Sequence, residues 1–132
     1  MAAQRVLSVG QCNPDHDALA RVLADRFGAE TDRAATVDEA MSALAGFRWD
    51  LVLVNRIIFD DNGPGIELVR RMRADPRCGG IPVMMISNHA DAQAEAVAAG
   101  AVPGFGKDVL TRPAAVQALA CHLRPRPEPE RP

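Results

Sequence analysis

Lys107 is the only lysine of the chain; the other 14 of its 15 basic residues are arginines. A compact ammonium and a planar guanidinium fork are not interchangeable, so position 107 selects for the ammonium. Cys12 precedes Asn13-Pro14, a pair that reads as an N-cap followed by proline at the first helical position. A thiol at a helix N-terminus could act as a nucleophile or redox sensor. A thiol phosphatase would also need an arginine six residues on to grip phosphate bidentately, and position 18 is alanine. Asp60-Asp61 offers a carboxylate pair for a metal or a phosphoryl group. Asn62-Gly63 beside it is a turn signal, which reads the pair as a solvated turn. Gln11, Asn55, Ser87 and Asn88 supply amides and a hydroxyl. His16, His89 and His122 share no metal-ligand spacing and read as surface residues. The segment from Gly100 to Gly106 has no phosphate-loop pattern.

These residues need elements to hold them. Val6 to Val9, Leu51 to Val54 and Val83 to Ile86 are short continuous apolar runs, the mark of strands covered on both faces. Weaker strands fall at Ala29 to Arg33 and Val102 to Phe105. Between them lie stripes at helical spacing: Leu19, Val22, Leu23 and Phe27; Val37, Ala40, Met41 and Leu44; Ile66, Val69 and Met72. Gly28, Gly46 and Gly100 close helices, and Thr36 with Glu39 forms a capping box. An Ala-rich helix starts near His89. Arg112-Pro113 opens a last helix through Val116, Leu119 and Leu123. Five strands alternating with five helices predict a doubly wound, flavodoxin-like parallel sheet in the order 2-1-3-4-5. Reactive groups on such sheets sit at the carboxyl ends of the strands. Gln11, Cys12, Asn55, Ser87, Asn88 and Lys107 all fall there.

The 132 residues, 48% hydrophobic and 24% charged, fit one globular domain, expected over residues 1–123. The stretch 124–132, RPRPEPERP, reads as an extended, disordered tail or linker. A net charge of −2 lacks the basic footprint of nucleic-acid binding. No apolar run approaches the roughly 18 residues of a membrane span. No signal peptide opens the sequence, and the three scattered cysteines read as reduced thiols, so a cytoplasmic location is expected.

Over roughly residues 4 to 123 the sequence resembles the receiver domain of two-component response regulators. The likeness rests on Arg5-Val-Leu-Ser-Val9, Asn13-Pro14, Trp49-Asp-Leu-Val-Leu-Val-Asn55, Gly65-Ile-Glu-Leu-Val-Arg-Arg-Met72, Ile81-Pro-Val-Met-Met-Ile-Ser87, and Gly100-Ala101 followed by Lys107. The resemblance implies a pocket in which an acidic pair holds Mg²⁺ and an Asp after the third strand accepts a phosphoryl group. A Ser or Thr and a Lys bind the phosphoryl oxygens. Ser87 and Lys107 keep their places. Asn55 replaces the acceptor, and Gln11 and Cys12 replace the acidic pair. An amide is a far poorer nucleophile than a carboxylate, and Mg²⁺ needs anionic oxygen. The expectation is a pseudo-receiver without enzymatic activity that has lost Mg²⁺ and aspartyl phosphorylation. Lys107 is then expected to bond the Asn55 side-chain oxygen or to pair with Asp60 or Asp61. On the switch and output surface, Gly104 replaces the family's aromatic, Asn88 its small residue, and Asp108 the proline after the lysine. Phe105, the neighbour of Gly104, should face the other way.

Such a domain would act as an interaction module in bacterial signalling. A histidine kinase or downstream regulator would dock on the first helix, or on the face made by helix four, strand five and helix five. A homodimer is open, and neither nucleic acid nor membrane is a direct partner. Two alternatives stand beside this one: a phosphorelay receiver using Asp60 or Asp61 as a substitute carboxylate, and a small-ligand or redox-sensing flavodoxin-like domain.

Overall fold

The computed structural model describes residues 3–126. Among these, β1 (Arg5–Val9), β2 (Glu30–Ala34), β3 (Leu51–Asn55), β4 (Val83–Ile86) and β5 (Val102–Phe105) form one sheet in the order β2-β1-β3-β4-β5, as expected. The pairings between these five strands are all parallel. The connections carry α1 (Asn13–Phe27), α2 (Val37–Gly46), α3 (Ile66–Ala74), α4 (Ala90–Ala99) and α5 (Pro113–Ala120). Strand alternation divides the apolar runs into two cores. Leu7, Val9, Val52, Val54, Val83 and Met85 face α2, α3 and α4 through Leu44, Leu68, Met72 and Ala96. Val6, Leu51, Leu53, Met84 and Ile86 face α1 and α5 through Leu19, Leu23, Ala115 and Leu119. Each large apolar side chain so buried contributes about 1.5–3 kcal/mol, which explains why central strands without polar alternation are favoured here.

The caps refine the boundaries. The Glu39 amide donates to the Thr36 hydroxyl at 3.1 Å, half of the capping box. Gly28 takes the left-handed conformation, φ 62°, that ends α1. Asn13 is not the cap of α1. The His16 amide donates to the Cys12 carbonyl at 2.9 Å, so helical bonding begins one residue earlier and Cys12 occupies the cap. α5 stops at Ala120 rather than running through Leu123. The Cys121 and His122 amides turn back to the Ala118 and Leu119 carbonyls in a tightened last turn, and Leu123 is still buried.

Gln4 fastens the other end of the domain. Its Nε2 donates to the Phe27 carbonyl at 3.0 Å and to the Arg124 carbonyl at 2.9 Å. The Arg124 amide donates back to Gln4 Oε1 at 2.7 Å, and the Arg126 amide donates to the Arg26 carbonyl at 2.8 Å. The first residues of the expected tail are therefore tied to the domain; residues 127–132 lie outside the described residues.

Candidate functional site

Gly10 ends β1 with φ +74°, and a Cβ on it would meet Ile58 Cδ1 at 2.5 Å. That close approach lets the loop after β3 fold across the end of β1. The Phe59 amide donates to the Gly10 carbonyl at 2.9 Å, and Ile58 is fully buried. Gln11 is buried with it, and neither its side-chain oxygen nor its nitrogen has a hydrogen-bond partner.

Asn55, at the end of β3, donates from Nδ2 to the Ile57 carbonyl at 2.8 Å and to the Gly10 carbonyl at 3.4 Å. Two carbonyl oxygens thus face the spot occupied by an amide N–H₂. A carboxylate has only acceptor oxygens to offer them, so the local backbone is arranged for a donor. Ser87 ends the β4 segment. Its amide donates to the Phe105 carbonyl at 3.0 Å, and its Oγ accepts from the His89 amide at 3.1 Å.

Lys107 does not bond Asn55, Asp60 or Asp61. Its Nζ pairs with Asp15 Oδ2 in the first turn of α1, at 2.5 Å. Burial pushes the Asp15 carboxyl up, but bonds from Lys107 and Cys12 and the Lys107 charge together hold it below the usual carboxylate range. Among the described ion pairs the ammonium's partner is Asp15, and position 55 carries no charge. Asp61 accepts from the Gly63 amide at 2.9 Å, closing its own turn. Asp60 and Asp61 are exposed and do not line the pocket. Among the described residues no three His, Cys, Asp or Glu side chains converge as metal ligands.

The resulting pocket is a cavity of about 240 Å³ lined by Asn55, Arg56, Ile57, Ile86, Ser87, Asn88, His89 and Lys107. Asn55, Ser87, Asn88 and Lys107 come together as expected; Gln11 and Cys12 do not reach it. Arg56 and His89 escaped sequence reasoning because neither falls on a motif. His16, read as a surface residue, is half-buried with Nδ1 unpartnered; burial, then the Arg33 charge, push its imidazole pKa down against an opposing effect of Asp17.

The β4–β5 edge holds a second departure. The register shifts between Met84↔Val102 and Ile86↔Phe105. The Ile86 carbonyl accepts from Arg56 on the β3 side, so the preceding carbonyl, Met85, faces β5. There Gln93 of α4 adds a side-chain bond to it. Gln93 Nε2 donates to the Met85 carbonyl at 2.9 Å and the Ser87 carbonyl at 3.2 Å, and Gln93 Oε1 accepts from the Gly104 amide at 3.2 Å. Position 104 must be glycine for this, since a Cβ would lie 2.2 Å from the Met85 oxygen. Asn88 Oδ1 similarly accepts from the Asp108 amide at 3.2 Å. Phe105 is buried against the α1–α5 core, so it contributes no output surface; the alternation of β5 turns it away from Gly104.

The structural neighbours include response regulators and a receiver domain. NtrX from Brucella abortus superposes with a TM-score of 0.73 at 25% identity, over 92% of this chain and 28% of that one. The chemotaxis response regulator CheY4 of Vibrio cholerae gives 0.69 at 21% identity, over 91% and 95%. The receiver domain of the Francisella response regulator 1452 gives 0.74 at 15% identity, over 90% and 96%. This chain therefore spans well under a third of NtrX and nearly all of CheY4. No protein-family model matches the sequence, and a search of the curated proteins found no match.

Proposed function

We propose that this receiver-fold chain is an interaction module of bacterial two-component signalling that works without aspartyl phosphorylation and catalyses no reaction. The observation that carries this reading is the Asn55 amide donating into the Ile57 and Gly10 carbonyls. It fills the position of a nucleophilic carboxylate with a group of opposite hydrogen-bonding sense. Gln11 is buried away from the pocket, Cys12 does not line it, and neither supplies a carboxylate for Mg²⁺. With the α4–β5 edge tied by Gln93, the α4–β5–α5 face is a ready-formed docking surface for a histidine kinase or downstream regulator, with α1 as the other candidate face. No described helix is long and apolar enough to cross a membrane. The described thiols are free, which suits the reducing cytoplasm.

The test is incubation with acetyl phosphate and Mg²⁺ followed by intact-mass measurement. No adduct is expected. A hydroxylamine-labile phosphoryl adduct would overturn the reading, and its loss in Asp60→Ala or Asp61→Ala would establish a substitute carboxylate.

A further inference from the structure

We propose that the proline-rich segment 127–132 of this chain docks intramolecularly in an aromatic groove at the amino ends of β3 and β4. The inference is independent of the Asn55 reading, because it concerns the opposite end of the sheet. Asp50 precedes β3 and Pro82 precedes β4, and both line this groove together with Phe47, Arg48, Trp49 and Arg77. Its volume is about 430 Å³. Phe47, just after α2, is 62% exposed, yet it is not loosely placed. The Arg5 Cζ lies 4.8 Å from its ring centre and 4.7 Å from that of Trp49, and Trp49 Nε1 donates to the Ala43 carbonyl at 3.1 Å. Two rings are thus fixed about one guanidinium. Aromatic-lined grooves of this kind take polyproline II segments, which are already extended and lose little conformational freedom on docking. Residues 127–130 read Pro-Glu-Pro-Glu. The charges around the groove suit them. Asp50 already accepts from the Arg5 amide at 2.8 Å. Arg77 is paired with Asp75 but remains exposed, and Arg48 takes part in none of the described ion pairs. The two arginines therefore face Glu128 and Glu130 as counter-charges. The segment also starts close by. Arg126 Cγ lies 3.8 Å from where a Cβ on Gly28 would be. Two residues on, Glu30 pairs with Arg5 across one strand spacing of about 4.8 Å, and Arg5 touches Phe47 with its own side chain. Six residues of polyproline II span about 19 Å, the order of that path beneath β2 and β1.

The experiment is ¹⁵N relaxation of the full chain, with order parameters taken at the Glu128, Glu130 and Arg131 amides. Docking predicts values above about 0.6, rising toward the roughly 0.85 of rigid backbone. Glu128→Lys combined with Glu130→Lys should drop them below about 0.6. The same pair should shift the Gly80 and Ile81 amides and the indole N–H of Trp49, the chain's only tryptophan. These substitutions lie outside the domain core, so their effect is not one of misfolding. Phe47→Ala, at an exposed position, should release the segment in the same way. Arg48→Glu added to the two lysine substitutions should restore order by reversing both partners of the charge pairing. Order parameters below about 0.6 in the parent, or Gly80, Ile81 and Trp49 signals indifferent to the double substitution, overturn the inference. A contact that grows with protein concentration also overturns it, and assigns the groove to the segment of a second copy.

Discussion

Replacing Gln93 with methionine keeps the length of the side chain and removes every hydrogen bond it makes. Three backbone groups lose a bond from Gln93: the Met85 carbonyl, at 2.9 Å, which keeps its place in the β5 ladder, and the Ser87 carbonyl and Gly104 amide, each at 3.2 Å, which are left unpaired. The Phe105 carbonyl keeps its bond from the Ser87 amide. Each half-buried backbone group left unpaired costs about 1–1.5 kcal/mol, the low end of the range for buried groups. The sum is about 2–3 kcal/mol, a large share of the roughly 5–15 kcal/mol that holds a domain together. With a urea slope of about 2 kcal/mol/M, the unfolding midpoint should fall by about 1–1.5 M with the slope unchanged. The Gly104 amide should exchange with solvent faster than its neighbours in β4. Gln93→Glu separates the two halves of the interaction. Its carboxylate still accepts from Gly104 but faces the Met85 and Ser87 carbonyls, so its folded-state pKa rises. Its protonated form can donate to Met85, so that stability is present at low pH and lost as pH rises through the folded pKa. A Gln93→Met midpoint within about 0.3 M of the parent, with Gly104 exchange unaltered, would refute the reasoning, because ordinary surface substitutions stay within about 0.5 kcal/mol.

Asn55→Asp should lower stability by about 1–3 kcal/mol at pH 7, since a carboxylate would face the Ile57 and Gly10 carbonyls. At roughly 4 °C per kcal/mol the Tm falls visibly, and a Tm equal to or above the parent's would contradict the donor geometry. Acidification should reduce stability in two stages, followed by urea midpoints across pH. His16 has a depressed folded pKa, so stability falls as pH drops below about 6.5; Asp15 is also depressed, so a second loss follows below about 4. Asp15→Asn should remove only the second stage. Under native conditions Cys121, which is exposed, should react with a maleimide first. Cys78, buried and with its thiol pushed up by burial and then by Asp75, should stay unlabelled until the protein unfolds.

The sheet order was legible because its signals are local and redundant. Val6–Val9, Leu51–Val54 and Val83–Ile86 are apolar on both faces, and Gly28, Thr36 and Gly100 mark helix ends within a residue or so. The strand ends then placed Asn55, Ser87 and Lys107 together without further information. The partner of Lys107 was not legible, because Asp15 is almost a whole domain away in sequence and becomes adjacent only when α1 packs beside β5. Gln93 was hidden for another reason. In an alanine-rich helix a glutamine reads as a solvated position, and the shifted register of β5 that gives it work has no sequence signature. The burial of Gln11 follows from Ile58 folding over Gly10, a loop packing event that neither propensity nor periodicity encodes.

The bonds between Gln4 and Arg124 give the domain a mechanical property. Residues 4 and 124 leave side by side, at the end of the sheet opposite the pocket, and they grip each other before they part. Gln4 leads directly into β1, whose neighbours are β2 and β3, so it lies inside the sheet rather than at its rim. Tension or fraying at residue 124 is therefore delivered to an inner strand and not to a dispensable edge. Arg126 is held separately, through the Arg26 carbonyl in the last turn of α1, so a load on the last described residues is shared between α1 and β1.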